Sequence, residues 1–168
     1  MLFAGCNLPK DTGIKLGVPF RAQETGQWDL CGPAAVQMWL LYDGRPLVSQ
    51  TQIYNFMGGS GRGVHPDALA DAVGWYTWTN HAMKDWEDGY PTPEEGRRRY
   101  FSRQITSIDN DVPVMPITLG GNHTGILNGG KWSDSPDGSY RIWDFVYFHD
   151  PAVTSNIRFG AEQWGAMD

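Results

Sequence analysis

Cysteine is scarce in this chain: Cys6 and Cys31 are the only two in 168 residues. A disulfide framework is thereby excluded. No stretch approaches the roughly 20 consecutive apolar residues that a bilayer requires, so no transmembrane segment is expected. Surplus positive charge is missing as well. Thirteen Lys and Arg stand against nineteen Asp and Glu, a net charge of −6, which argues against a nucleic-acid partner. The one basic cluster, Arg97, Arg98 and Arg99 with Arg103, follows Thr92-Pro93-Glu94-Glu95 and reads as the solvated face of a helix. Internal repeats, low-complexity tracts and linkers are absent. His65, Asp67 and His81 lack a metal-ligand spacing, and one nearby cysteine cannot complete a zinc site, so no metal and no cofactor are called for.

What remains is the length of a single domain, enough to bury about 70% of the unfolded surface, with eight Trp, seven Tyr and seven Phe. Its most informative stretch is Val18–Gly44, VPFRAQETGQWDLCGPAAVQMWLLYDG. After Cys31, Ala34, Met38, Leu41 and Tyr42 recur at i, i+4, i+7 and i+8, the apolar stripe of an amphipathic helix. Pro33 is tolerated only in a first helical turn, where its missing N–H costs nothing. Cys31 is therefore placed at a helix N-terminus. There the macrodipole and free N–H groups stabilise a thiolate, an advantage without value for a sulfur that only packs. The stretch reads as a nucleophile site.

A nucleophilic thiol needs a base and a group that orients the base. His65, before Pro66 and Asp67, reads as a capping or surface residue at a helix start. His81 lies in a polar segment. His123, in GGNHTGILNGG, follows a Gly-Gly turn and opens a short strand ending in a second Gly-Gly. It follows the strand-like run VPVMPITLG and can face a helix N-terminus across a cleft. Two carboxylates on RIWDFVYFHDP compete to orient it. Asp144 and Asp150 share a parity with Val146 and Phe148 and should point to one sheet face, about 20 Å apart along the strand. Asp150, at the strand end before Pro151, is the better placed. His149, of opposite parity, should face away.

Taken together, Gln23, Cys31-Gly32-Pro33-Ala34-Ala35, the Tyr42-Asp43-Gly44 helix end, the Gly63-Val64-His65-Pro66 segment running to Leu69, the His123 strand and Asp150-Pro151 resemble the papain-like cysteine peptidases. The similarity is to their bacterial C39-like group and spans about residues 18–151. It implies Cys31 as nucleophile, His123 as general base and acid, Asp150 as orienter and Gln23 as the oxyanion-hole amide. Two features depart from the pattern. Lys131–Ser139, KWSDSPDGS, inserts a polar turn that lengthens the interval from His123 to Asp150 and keeps Asp144 as the alternative third member. Gln27 lies close before Cys31 and rivals Gln23.

The expected fold is α+β and papain-like: a helical N-terminal half, carrying Cys31 at a helix N-terminus, packed on a C-terminal antiparallel sheet. Residues 1–13 form a stub whose Ala4-Gly5-Cys6 resembles a lipoprotein processing site without the preceding signal, either a truncated remnant or a chance match. Residues 14–168 form one catalytic domain. An extended segment at 14–22, helices at 31–43, after Ser49, at 66–74 and at 93–107, a glycine loop at 58–63, an irregular Trp-rich stretch at 75–91, and strands near 112–118, 123–128, 139–149 and 153–159 are expected. Long irregular loops beside a rigid site usually carry recognition, so Trp75, Trp78 and Trp86 are candidates to line a substrate cleft.

The function so implied is hydrolysis of peptide or isopeptide bonds through a Cys-His-Asp triad and a thioester acyl-enzyme. It would be carried out on a peptide or protein substrate by a secreted or envelope-associated bacterial monomer. The alternatives are a papain-fold amidase, deamidase or acyltransferase acting on cell-wall peptide or a host protein, and a non-catalytic binding module.

Overall fold

The computed structural model describes residues 13–24, 29–59, 65–77, 93–118 and 123–165. After strand β1 (Ile14–Lys15) come helices α1 (Cys31–Tyr42), α2 (Gln50–Phe56), α3 (Pro66–Thr77) and α4 (Pro93–Asp109). Strands β2 (Ile117–Thr118), β3 (His123–Thr124), β4 (Ile126–Asp134), β5 (Arg141–Asp150) and β6 (Thr154–Gly160) follow, and α5 (Ala161–Gly165) closes the order. The main sheet is antiparallel in the order β1-β4-β5-β6, and β2 pairs with β3 beside it. Helices followed by an antiparallel sheet make the expected α+β arrangement.

Local chemistry sets the helix ends. Ser49 caps α2 in a capping box with Gln52, whose side chain reaches back to the Ser49 N–H. Gly44, at φ +64°, ends α1: its N–H reaches Leu41 O while the Arg45 N–H reaches Leu40 O. This pair of bonds needs the left-handed residue that glycine supplies most readily. Gly58 at φ +69° and Gly59 end α2 in the same way, on Asn55 O and Tyr54 O.

The helix α1 differs from the expected amphipathic element. Every residue from Gly32 to Leu40 is buried, because α2 and α3 pack on one side of it and β3 and β4 on the other. A helix surrounded on all sides is apolar all round. Its one buried amide, Gln37, is satisfied by hydrogen bonds. On the sheet, α4 covers β5. There the indole N–H groups of Trp143 and Trp164 both donate to Gln104 Oε1, at 3.1 and 3.3 Å. The short α5 was not expected; it brings Trp164 against Phe148 and Phe159.

Three strand expectations are corrected. The Gly129-Gly130 pair does not end a strand but lies inside β4, which continues through Lys131 to Asp134. The turn between β4 and β5 is therefore confined to 135–140, and the supposed polar insert is largely strand. Secondly, 112–118 is not a continuous strand. Pro113 and Pro116 cannot donate to a ladder, and only the Val114–Leu127 bridge and Ile117–Thr118 pair. Thirdly, Asp144 does not share a face with Val146. Lys131 pairs with Phe145 but Trp132 pairs with Trp143, so Asp144 is the extra residue of a bulge. The bulge keeps both Trp143 and Val146 in the core. Asp144 is left half-exposed beside Ser133 Oγ (3.0 Å) and Lys131 Nζ (3.9 Å).

Close backbone approach explains the glycine inside β4. A Cβ at Gly129 would lie 2.2 Å from Ile14 O and 2.8 Å from Lys15 Cα, so any side chain there pushes β1 off the sheet. Gly129→Ala is expected to cost about 1–3 kcal/mol, as overpacked sites do. Gly17→Ala, where nothing lies within 4 Å, should stay within about 0.5 kcal/mol of the parent. Urea unfolding of the two variants measures the difference, and equal midpoints would refute the close-packing account.

Candidate active site

Cys31 is the first residue of α1, and Leu30, before it, provides no side-chain cap. The first helical hydrogen bond runs from Ala34 N–H to Leu30 O at 2.9 Å, and Pro33 has no N–H to donate. The uncapped N-terminus thus leaves the Cys31 and Gly32 N–H groups to the site. Burial disfavours the Cys31 thiolate. Hydrogen bonds from the His123 side chain and from the Thr124 and Gly32 N–H groups, with the His123 charge, outweigh burial and hold the thiol below its ordinary 9.0.

The His123 side chain reaches this sulfur from β3, which packs against α1. Its Nε2 lies 2.9 Å from Asp150 Oδ1 at the end of β5, leaving Nδ1 as the ring nitrogen for the thiol. Both side chains are nearly covered, at 15% and 14% exposure. The Asp150 hydrogen bond, with that to Cys31, raises the His123 pKa to about 9 against the opposing effect of burial. Burial pushes the Asp150 carboxyl up, but the His123 bond, with the Ala152 N–H on Oδ1 at 2.9 Å, brings it below its usual value. Asp150 is on the strand face of Phe148 and Val146, and Asp144 is outside the cluster.

The long β4–β5 hairpin explains how residues 27 apart in sequence meet. Ile126 pairs with His149 and Asp134 with Arg141, so the hairpin returns the chain to the end from which it left. Gly125, between β3 and β4, makes room for that return: a Cβ there would be 2.2 Å from His149 O.

His149 faces the other way, as its parity suggests. It is 2% exposed, with Nε2 2.9 Å from Val18 O and its ring 5.7 Å from Phe20. Burial holds its pKa below 6.5, so it stays neutral and donates to Val18. Adjacent strand positions therefore lead to one histidine tuned upward and one tuned downward.

The remaining candidates separate clearly. Gln23 is half-buried, and its N–H donates to Pro151 O at 2.8 Å, next to Asp150. His65 is exposed and its Nδ1 accepts the Asp67 N–H at 3.3 Å at the start of α3. Trp75 belongs to α3, three residues of which lie beyond its expected end. It is 65% exposed and stacks on Phe56 at 5.8 Å. Arg98 and Arg99 are exposed, over the Tyr140 ring and on Glu95 respectively. Cys6, Gln27, Trp78, His81 and Trp86 lie outside the described residues. Sequence reasoning missed Gln37 and Gln50, two buried amides near Gln23. A glutamine in an apolar helix is a weak signal without knowledge of its partners. Among the described residues no three His, Cys, Asp or Glu side chains converge as metal ligands, and no helix is long and apolar enough to cross a membrane.

A sequence profile of the Peptidase_C39-like family matches residues 15–167. The crystal structure of a Bacillus anthracis protein described as a C39-like peptidase superposes with a TM-score of 0.57 at 16% identity, over 94% of this chain and 92% of that one. At that identity the likeness is one of fold. No curated protein matches the chain in sequence.

The electrostatics predict a pH signature. With the thiol lowered and the imidazole raised to about 9, Cys31 should react with iodoacetamide near pH 6 far faster than Cys6, because only the thiolate attacks. Intact mass, with Cys31→Ser as control, reads both sites, and equal rates would overturn the assignment. His123→Ala removes the hydrogen bond and charge that do most to oppose burial, leaving the Thr124 and Gly32 N–H groups, and should move the Cys31 profile up toward an ordinary thiol. Stability should follow the same signs. The His123 contribution is present below 6.5 and lost as pH rises through about 9. That of Asp150 is present above 3.8 and lost on acidification.

Proposed function

The chain belongs to the Peptidase_C39-like family, and from that premise we propose that it is a cysteine peptidase working through Cys31, His123 and Asp150. The observation that carries the reading is the polarised pair: a thiol lowered and an imidazole raised, bonded to each other and backed by a carboxylate. Groups whose pKa values are pushed apart within one cleft are suited to nucleophilic and acid–base roles.

The proposed chemistry runs in two halves. The Cys31 thiolate attacks the scissile carbonyl carbon, forming a C–S bond while the carbonyl electrons move to oxygen. The Cys31 backbone N–H and the Gln23 side-chain amide hold that oxyanion. The His123 imidazolium gives its proton to the departing amine, the C–N bond breaks and a thioester remains. Neutral His123 then takes a proton from water as it attacks the thioester, and the returning electrons expel the thiolate with a carboxylic acid product. Asp150 keeps the ring oriented and stabilises the imidazolium. A proton on His123 up to about pH 9 supports the first half of the cycle, so kcat/KM is expected to fall above that value.

Three substitutions grade the roles, with new N-termini in denatured casein counted by mass spectrometry. By the scale of other triad hydrolases, His123→Ala should cost roughly 10⁶-fold in kcat and Asp150→Ala roughly 10⁴-fold. Gln23→Ala should cost about 10²–10³-fold. Turnover surviving in His123→Ala would overturn the mechanism. Deamidated glutamines or transferred acyl groups, without new N-termini, would move the activity to an amidase or acyltransferase.

Trp75 offers its exposed, Phe56-stacked ring as a substrate contact. Trp75→Ala should raise KM with little change in Tm. A core role would instead cost about 3–5 kcal/mol, and a loss of stability with KM unchanged would end the proposal.

A further inference from the structure

The segment from Gln23 to Cys31 is tied to α2 near both of its ends. At the first end the Gln50 side chain spans the backbone on either side of Gln23. Its Nε2 donates to Ala22 O at 2.8 Å and its Oε1 accepts the Glu24 N–H at 2.9 Å. Gln50 is 2% exposed and is itself fixed by Gln37 of α1: Gln50 Nε2 lies 3.0 Å from Gln37 Oε1, and Gln37 Nε2 donates to Val48 O at 2.6 Å. At the second end the Tyr54 hydroxyl bonds to Asp29 Oδ2, two residues before the nucleophile. Gln50 and Tyr54 stand at i and i+4, on one face of α2. The Tyr54 ring also has little freedom to retreat, since a Cβ at Gly59 would come within 2.2 Å of it.

From this arrangement we infer that α2 is the splint of the oxyanion site, with Gln50 and Tyr54 as positioning residues that set the Gln23 amide against the Cys31 N–H. The inference rests on the peptidase reading above. Two oxyanion donors from separate segments, one a helix N-terminus and one outside any strand or helix, must be held to within fractions of an ångström of a shared position. A misplacement of 1 Å can cost about 10²-fold in rate. Among the described residues no strand pairs with residues 22–24 on the Gln50 side, and the buried Gln50 amide takes the place of a ladder there. A side chain bonding the peptide groups before and after Gln23 fixes the rotation of that residue about the chain, and hence the direction in which its own amide points.

The test separates this role from a general effect on folding and from failure of the peptidase reading. Gln50→Met keeps the volume and deletes its bonds to Ala22, Glu24 and Gln37; Tyr54→Phe deletes only the hydroxyl and is the milder change. Each should lower kcat for casein cleavage by between about 10-fold and 10²-fold, with KM little changed. Alkylation of Cys31 by iodoacetamide should stay at the parent rate, because displacement at a saturated carbon forms no oxyanion. In a Gln23→Ala background, Gln50→Met should cost less than 2-fold further, since the group it positions is gone. A full additional loss in that background, or equal loss of alkylation and cleavage, would overturn the positioning role. If Gln50→Met unfolds, Tyr54→Phe carries the same comparison alone. Parent-level cleavage in Cys31→Ser would instead defeat the peptidase reading, and Gln23→Ala without effect would defeat the oxyanion assignment on which the splint depends.

Discussion

The hydrogen bond between His123 Nε2 and Asp150 Oδ1 joins the small β2–β3 sheet to the end of β5 in the main sheet, on the side where β3 meets α1. It is the largest influence holding a proton on His123, and that proton is in turn the largest influence favouring the Cys31 thiolate against burial. Remove the carboxylate and only the Cys31 sulfur is left to hold a proton on the imidazole against burial. The support that His123 gives the thiolate would weaken with it, leaving the Thr124 and Gly32 N–H groups a larger share. Each of the three groups is individually costly to bury ionised. The set is tolerable because the charges alternate and each is bonded to the next.

That dependence places demands on the fold. Asp150 can reach His123 only if the β4–β5 hairpin closes in register, and this hairpin is long. Its register is marked by Gly125 and Gly130, where the backbone of β5 approaches too closely for any side chain, and by the bulge at Asp144. The bulge also lets Trp143 and Val146 enter the same core while Asp144 turns toward solvent. Strict alternation along β5 would have exposed one of two large apolar residues. The misplaced Asp144 is thus the cost of packing Trp143 under α4, and it frees Asp150 from a competing carboxylate.

Much of the site was legible because its signals are local. Pro33 located the start of α1, Ser49 that of α2, and Asp150-Pro151 the end of β5. The Cys31, His123 and Asp150 side chains, named from position alone, do converge. What escaped reading depends on contacts across the chain. Burial of α1 on every side reflects neighbours on two flanks, which no periodicity within the helix reports. The extension of β4 through Gly129-Gly130 was hidden because paired glycines ordinarily mark turns, whereas here they mark the approach of β1 and β5. The run Lys131–Asp134 has the polar composition of a turn, yet it pairs with β5 as a hairpin strand with a largely solvated face. Parity arguments succeeded for His149 and Asp150, where the register shift against β6 adds its extra residue to β6 and not to β5, and failed for Asp144, where the extra residue lies in β5 itself.

The distribution of buried polarity shows where positional accuracy is concentrated. Residues 16–24 form little regular ladder, yet their backbone groups need partners once buried. Asn128 O takes the Leu16 N–H, His149 donates to Val18 O, Gln50 bonds at Ala22 and Glu24, and Pro151 O takes the Gln23 N–H. Two of the contributing side chains, His149 and Gln50, are 2% exposed, and Gln37 behind Gln50 is 5% exposed. Apolar residues of similar size would serve a core at least as well, because a buried polar group returns little net stability even when fully bonded. They would not fix a strand-like segment lengthwise, since packing alone allows sliding while hydrogen bonds at successive peptide groups do not. Gln37, Gln50 and His149 are thus gathered along the segment that leads to the α1 N-terminus, whereas the buried Gln104 serves a separate purpose, the packing of Trp143 and Trp164.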